Sequence, residues 1–357
     1  MASHDQEAFL AAMQIVNSST VDGVLNALIE LNVFDIIMQK VGLDGYLHPH
    51  EIALDLHTDN PEASDMLDRM LRLLASHSII KCKLVKGSGK AHLTRSYGLT
   101  SVSQFFVQAK DGPCLAPYVQ LVNHKEMQSC WYKLKDAVIE GGIPFNKAHG
   151  GKKIFEYLEK DKGLAQLLSQ AMDKSIATSM TIILQMYKGF EGVQEVVDVG
   201  GAHGATLSCI VSMNPHLKGI NFDLPHVIKT APSLPGIVHV EGDMFESIPR
   251  GEVILLQRVL HDWTDEESVK ILRKCHEALP DNGKVVIIEM TPAELPENDV
   301  HAKNITQVDI RMMIYTPGGR ERTAEEYQML GKEAGFASSK FICGADLYGV
   351  VELYKKP

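Results

Sequence analysis

The 357-residue sequence predicts an α/β protein. Its expected core is a Rossmann-like domain, a doubly wound and mostly parallel sheet, preceded by a helical winged-helix domain. Three observations carry this prediction. From Glu195 onward, short apolar segments alternate with helical patterns, the rhythm of βα units closing a parallel sheet. The segment Val196-Val197-Asp198-Val199-Gly200-Gly201-Ala202-His203-Gly204 reads as an apolar strand ending in an acid and a glycine-rich turn. Upstream, two helical patterns are followed by a strand pair, the winged-helix layout.

Taken in order, residues 6–40 read as helical, with Leu25, Leu28, Ile29 and Val33 at helical spacing. A short helix is expected over 49–56. Asn60-Pro61 signals a turn and a helix start, and Leu67, Met70, Leu71 and Leu74 form one apolar face. After Ile80 the pattern becomes strand-like, with Gly87-Ser88-Gly89 as a hairpin turn and Tyr97-Gly98-Leu99 on the return. Residues 113–190 are mostly helical. Strands are expected at 195–199, 219–222, 237–240, 253–256 and 284–289, with a closing pair near 339–343 and 348–354. These patterns divide the chain into residues 1–110, a linking and pocket-forming helical segment 111–190, and a catalytic domain 191–357.

Composition is that of a globular protein, with 45% apolar and 22% charged residues. A formal charge of −10 disfavours nucleic acid or an anionic membrane as partner. No apolar run approaches the roughly 18 residues of a membrane span, and the N-terminus lacks a signal-peptide pattern. The six cysteines (Cys82, Cys114, Cys130, Cys209, Cys275, Cys343) include no CxxC pair. Reduced thiols in the cytoplasm, with no metal site, are therefore expected.

The glycine turn is the first candidate site. Glycine lets a ligand approach the backbone closely, and a helix N-terminus offers free N–H groups. Asp198 ends the first strand. Asp223 ends the second, about 20 residues further on, where a carboxylate can take ribose hydroxyls. Asp243, in Gly242-Asp243-Met244-Phe245, follows the third and can accept from an adenine amino group, with Met244 packing on the ring. Three acids at successive strand ends specify a nucleoside-like cofactor far better than a glycine turn alone. The glycine spacing fits a dinucleotide poorly.

Further motifs are Asn221-Phe222-Asp223-Leu224-Pro225-His226-Val227, Leu260-His261-Asp262-Trp263-Thr264-Asp265-Glu266, Asn282-Gly283-Lys284-Val285 and Pro317-Gly318-Gly319-Arg320-Glu321-Arg322-Thr323. With Val197-Asp198-Val199-Gly200-Gly201, Gly242-Asp243-Met244-Phe245, Leu67-Asp68-Arg69-Met70-Leu71-Arg72 and Gly141-Gly142-Ile143-Pro144-Phe145, the chain from about residue 20 onward resembles the plant S-adenosylmethionine-dependent small-molecule O-methyltransferases of the caffeic acid and isoflavone type. The resemblance implies a homodimer with interlocking N-terminal helices, S-adenosyl-L-methionine as cofactor and a small aromatic substrate. It implies cofactor contacts from Asp198, Gly200, Gly201, His203, Asp223, Leu224, Asp243, Met244 and Gln257. It implies His261 as general base with Glu289 and Glu321 around it. The substrate pocket it implies involves Leu164, Leu168, Met172, Asp262, Met312 and Thr316, with Met313, Val122 and Asn123 nearby.

The chemistry suits these residue types. A phenol has a pKa of about 10 and is protonated at neutral pH, so a base that takes its proton during attack makes the oxygen a nucleophile. Histidine titrates near neutrality. The sulfonium carries its own charge and needs no metal. Three positions depart from the family pattern. Ala202 replaces glycine, His203 is bulky, and Gln257 stands where relatives often carry lysine. These departures suggest altered cofactor binding or, as a bolder alternative, a non-methylating acid–base reaction. N-methylation of an aromatic amine is a second alternative. A winged-helix DNA-binding regulator is a third, suggested by Lys81, Lys83, Lys86, Lys90 and Arg95. Against it, residues 1–110 hold 9 Lys and Arg but 12 Asp and Glu, and Glu62, Asp65 and Asp68 would repel a DNA groove.

Overall fold

The computed structural model describes residues 2–86, 93–108, 114–345 and 347–356. The chain forms two compact units. One comprises Met1–Gln128 with Gly163–Ser175; the other comprises Ser129–Lys162 with Ile176–Pro357.

In the first unit, the helical region expected at 6–40 is three helices, Ala2–Val16, Ser19–Glu30 and Val33–Val41. The second break falls at Asn32, whose φ of +55° is the left-handed conformation that asparagine tolerates. Leu28, Ile29, Phe34 and Ile37 are buried from these helices. His48 caps the Pro49–Asp55 helix: its Nδ1 accepts the His50 N–H at 3.1 Å, and Glu51 accepts the His48 N–H at 2.8 Å. Ala63–Ser76 buries Leu67, Leu71 and Leu74 on one face, as the spacing predicts. β1 (Ile80–Lys86) and β2 (Leu93–Leu99) pair antiparallel. The proposed Gly87-Ser88-Gly89 turn lies outside the described residues. Arg95 on β2 forks onto Asp68, with Nε and Nη2 donating to the carboxylate at 2.9 and 2.5 Å, and the Tyr97 hydroxyl donates to the same group at 2.8 Å. Arg95, one of the five basic residues of the DNA-binding reading, is thus engaged within its own unit.

In the second unit, seven strands form one sheet: β3 (Glu195–Val199), β4 (Lys218–Asp223), β5 (Ile237–Glu241), β6 (Val253–Gln257), β7 (Lys284–Met290), β8 (Ser338–Ala345) and β9 (Tyr348–Tyr354). Their order is β5-β4-β3-β6-β7-β9-β8. The first five run parallel, and β9 pairs antiparallel with β7 and β8. Alternate residues feed two cores on opposite faces. Val197, Val199, Ile254 and Leu256 join one cluster with Leu272 and Cys275 of the Asp265–Ala278 helix. Val196, Val253 and Leu255 join another with Leu207 and Ile210 of the Ala205–Met213 helix. The order reverses between β3 and β6, so the carboxyl ends of these strands flank the crevice where open α/β sheets bind ligands.

No single helix among the described residues is long and apolar enough to cross a membrane. The bent pair Asp5–Val16 and Ser19–Glu30 meets that length and composition together, but Leu28 and Ile29 of the second helix are committed to the core of the first unit.

Candidate active site

The glycine turn sits at the end of β3. Gly200 has φ +71° and Gly204, which precedes the Ala205–Met213 helix, has φ +85°. Gly201 is required for space: a Cβ there would stand 2.1 Å from Asn221 Oδ1 and 2.7 Å from Asp198 Oδ2. Those two oxygens are buried and accept no hydrogen bond. Asp198 is 1% exposed, and burial, then the charge of Asp223, push its pKa up to about 8. Asp223 Oδ2 accepts the Ala202 N–H at 2.8 Å, and Oδ1 accepts the Leu224 N–H at 2.6 Å. Each oxygen therefore keeps one lone pair for a ligand hydroxyl. Asp243 is exposed and Met244 half-buried; Asp243 Oδ1 accepts the Phe245 N–H at 2.9 Å.

The three departures now have geometry. Ala202 lies at φ +48°, the left-handed region that glycine occupies more cheaply. His203 Nε2 lies 3.2 Å from Thr230 Oγ1, so its ring is engaged by the segment after β4. Gln257 Oε1 accepts the Thr206 hydroxyl at 3.2 Å, while its Nε2 is buried without a partner.

These features fit S-adenosylmethionine. Unsatisfied buried acceptors (Asp198 Oδ2, Asn221 Oδ1) and an unsatisfied donor (Gln257 Nε2) mark a place where a polar, cationic ligand completes the hydrogen bonding. Gly201 lets the turn lie directly against Asp198 and Asn221, because any Cβ would collide with them.

The second centre lies beyond β6, where the chain turns through Arg258 at φ +55° into the short Leu260–Asp262 helix. His261 is 4% exposed. Its Nδ1 donates to Glu321 Oε1 at 2.8 Å. Glu289, at the end of β7, is arranged differently: its Oε1 accepts the N–H groups of Val259 and Leu260 at 2.8 and 2.9 Å, and its Oε2 stands 3.9 Å from His261 Nδ1. Asp262 Oδ1 is 3.9 Å from Nε2. Burial works against an imidazolium here, but Glu289 and Glu321 outweigh it and lift the His261 pKa to about 9. Burial likewise raises the Glu289 carboxyl, with His261 opposing. Because Nδ1 is committed to Glu321, Nε2 is the nitrogen that titrates: it holds a proton below about 9 and becomes free to accept one as pH rises through that value.

Of the expected pocket residues, Leu164 is buried, and Leu168 and Met172 are half-buried, all in the first unit. Met312 is half-buried against the core of the second unit, and Met313 is exposed. The buried Thr316 spends its hydroxyl on Met312 O at 3.0 Å. Sequence reasoning passed over two groups. Asn221 donates to Ala202 O at 2.8 Å and lies 3.0 Å from His239 Nδ1; a polar residue inside an apolar strand was the available signal. Arg322 is fully buried against the His261 turn. It stood in a quoted motif, with nothing local to mark its partners.

A sheet of this order, with acids at successive strand ends and a buried His–Glu pair beside them, defines a methyl-transfer enzyme. Residues 131–337 match the O-methyltransferase domain, and residues 13–109 match the O-methyltransferase dimerisation domain. The chain is 74% identical over its whole length, and the whole length of the relative, to trans-anol O-methyltransferase 1 of Pimpinella anisum. It is 44% identical to caffeic acid 3-O-methyltransferase 2 of Ocimum basilicum, covering 99% of this chain and 97% of that one. Among solved structures, human N-acetylserotonin methyltransferase in complex with S-adenosylmethionine shares the fold, with a TM-score of 0.85 at 23% identity over both full chains. The chain belongs to the S-adenosylmethionine-dependent O-methyltransferase family and carries that family's dimerisation domain.

Proposed function

We propose that this enzyme methylates the hydroxyl of a small phenol of the trans-anol type, with His261 as general base. The observation that carries the reading is the buried 2.8 Å contact between His261 Nδ1 and Glu321 Oε1. It fixes the tautomer, leaves Nε2 as acceptor and stabilises the imidazolium once the phenol proton has moved. Glu289 holds the turn that carries the base through its two backbone contacts. Asp198, Asp223 and Gln257 would hold the cofactor, Gly200 and Gly201 would shape the turn beside it, and Asp243 with Met244 would take its base. Bound there, S-adenosylmethionine supplies an electrophilic methyl group on a positively charged sulfur. The choice of phenol rests on the 74% identity to the trans-anol enzyme; Leu164, Leu168, Met172, Asp262, Met312 and Thr316 are the residues assigned to the acceptor.

We further assign a cytoplasmic homodimer with residues 1–110 as its dimerisation part, 111–190 as the helical pocket segment and 191–357 as the catalytic part. Phe9, Leu10, Ile15 and Val16 on the first helix are largely exposed, an apolar surface suited to a second copy. The test is transfer of label from methyl-labelled S-adenosylmethionine to trans-anol, caffeic acid and a set of arylamines. Transfer to trans-anol above the others supports the reading. Transfer confined to the amines overturns it.

A further inference from the structure

Arg322 has the largest of the fully buried side chains. Its charge is compensated on all sides by the turn that carries His261. Nη1 donates to Leu260 O at 2.8 Å, Nη2 to Trp263 O at 2.7 Å and Nε to Asp265 Oδ1 at 2.9 Å. The two carbonyls bracket His261 and Asp262 in sequence. The contact is reinforced one residue either side of Glu321: the Arg320 N–H donates to His261 O at 2.9 Å. Gly319 lies so close that a Cβ there would stand 2.9 Å from the same oxygen. The Asp265 carboxylate, held below its ordinary range by its arginine partners despite burial that acts the other way, closes the fork.

We propose that Arg322 is a positioning residue for methyl transfer, a buried clamp that sets the distance between His261 and Glu321. The proposal rests on the reading of His261 as base. Glu321, the acceptor of the imidazole proton, is the residue before Arg322, and His261 lies between the carbonyls that Arg322 binds. One guanidinium therefore fixes both ends of the pair. A planar fork with donors in fixed directions reaches three acceptors at once, whereas a lysine ammonium on a flexible stem does not. Loss of the clamp lets the base and its partner drift apart, and a misplacement of about 1 Å costs on the order of 100-fold in rate.

The experiment compares full-length Arg322→Lys, Asp265→Asn and His261→Gln with the wild type. Active sites are counted by calorimetric titration with S-adenosylmethionine, and kcat, acceptor KM and the pH–rate profile are measured per active site. Arg322→Lys is expected to bind the cofactor as the wild type does, keep KM within about threefold, lose kcat by roughly 30- to 100-fold and displace the limb of the profile governed by His261. Asp265→Asn, altered at the half-exposed end of the fork, is expected to show the same displacement with a smaller loss, and it decides the matter where Arg322→Lys does not fold. A wild-type kcat and pH profile in the folded variant overturns the proposal. If His261→Gln keeps its turnover, the base reading fails. If His261→Gln is inactive and the clamp variants behave as wild type, only the clamp fails.

Discussion

Ala202 donates its backbone N–H to Asp223 Oδ2 at 2.8 Å while held at φ +48°. The turn thus places a carboxylate at the end of β4 at the expense of backbone strain, because a Cβ in the left-handed region costs about 1–2 kcal/mol relative to glycine. The entropy that glycine gives up on folding offsets part of this. Ala202→Gly is expected to stabilise the ligand-free protein by about 0.5–1 kcal/mol, read as a higher urea midpoint at constant slope. A lower midpoint would show that the alanine methyl packs productively.

Gln257 presents a second consequence. Its buried Nε2 has no partner, but its Oε1 takes the Thr206 hydroxyl, so removing the amide costs the ligand-free protein about one hydrogen bond while the cofactor loses a donor. Gln257→Leu is expected to weaken S-adenosylmethionine binding about tenfold, the scale of a hydrogen bond to a charged or polar ligand group. Equilibrium dialysis measures this, and an unchanged dissociation constant would detach Gln257 from the cofactor. The double change Ala202→Gly with Gln257→Lys is expected to tighten binding.

For the base, His261→Gln preserves the volume and a donor but cannot hold a proton. Turnover of a phenol is expected to fall by roughly 10²–10⁴-fold with cofactor binding intact. An arylamine nitrogen needs no deprotonation before attack, so a small loss on every acceptor would point to amine chemistry. Glu321→Gln is expected to lower the pKa of His261 from about 9, visible in the imidazole resonances.

Proton linkage gives a stability prediction. Burial and Asp223 raise the folded pKa of Asp198 from 3.8 to about 8. For His261, burial opposes the charge, and Glu289 and Glu321 prevail, lifting it from 6.5 to about 9. Both groups hold their protons more tightly when folded. The contribution of Asp198 is full below its unfolded value and lost as pH rises through about 8; that of His261 is full below 6.5 and lost through about 9. The ligand-free protein should therefore lose stability progressively from about pH 4, through neutrality, to about pH 9. Asp198→Asn should flatten the part of that decline below the His261 titration. An unchanged slope in urea melts at stepped pH would exclude Asp198 as a source.

Much of this architecture was legible because it is local. Asp198 and Asp223 lie at the ends of apolar runs and Asp243 follows the next strand by two residues, and the strands expected at 253–256 and 284–289 appear as β6 and β7 within a residue or two. What was not legible depends on pairs distant in sequence. Nothing near Glu289 in the chain says that its Oε1 takes the N–H groups of Val259 and Leu260, leaving Oε2 3.9 Å from the imidazole where Glu321 makes a direct hydrogen bond. The turn around Gly201 showed that a ligand must come close, but not that Ala202 would be the strained residue, since φ is set by the Asn221 and Asp223 contacts across the sheet. The breaks in the helical pattern at 6–40 fall at Asn17-Ser18 and Leu31-Asn32, where polar cap residues interrupt the apolar spacing that suggested one continuous region.

The pairing of β7 with β9 bears on how the enzyme comes into being. Glu289 lies opposite Gly349 in that antiparallel register, and the edge of β7 has no other neighbour on that side. During synthesis, the strand bearing a carboxylate of the site has an open edge until residues 348–354 have left the ribosome. The catalytic unit is thus assembled after translation of its last strand, and nascent chains stalled short of it should bind a conformational probe of β7 and transfer no methyl group.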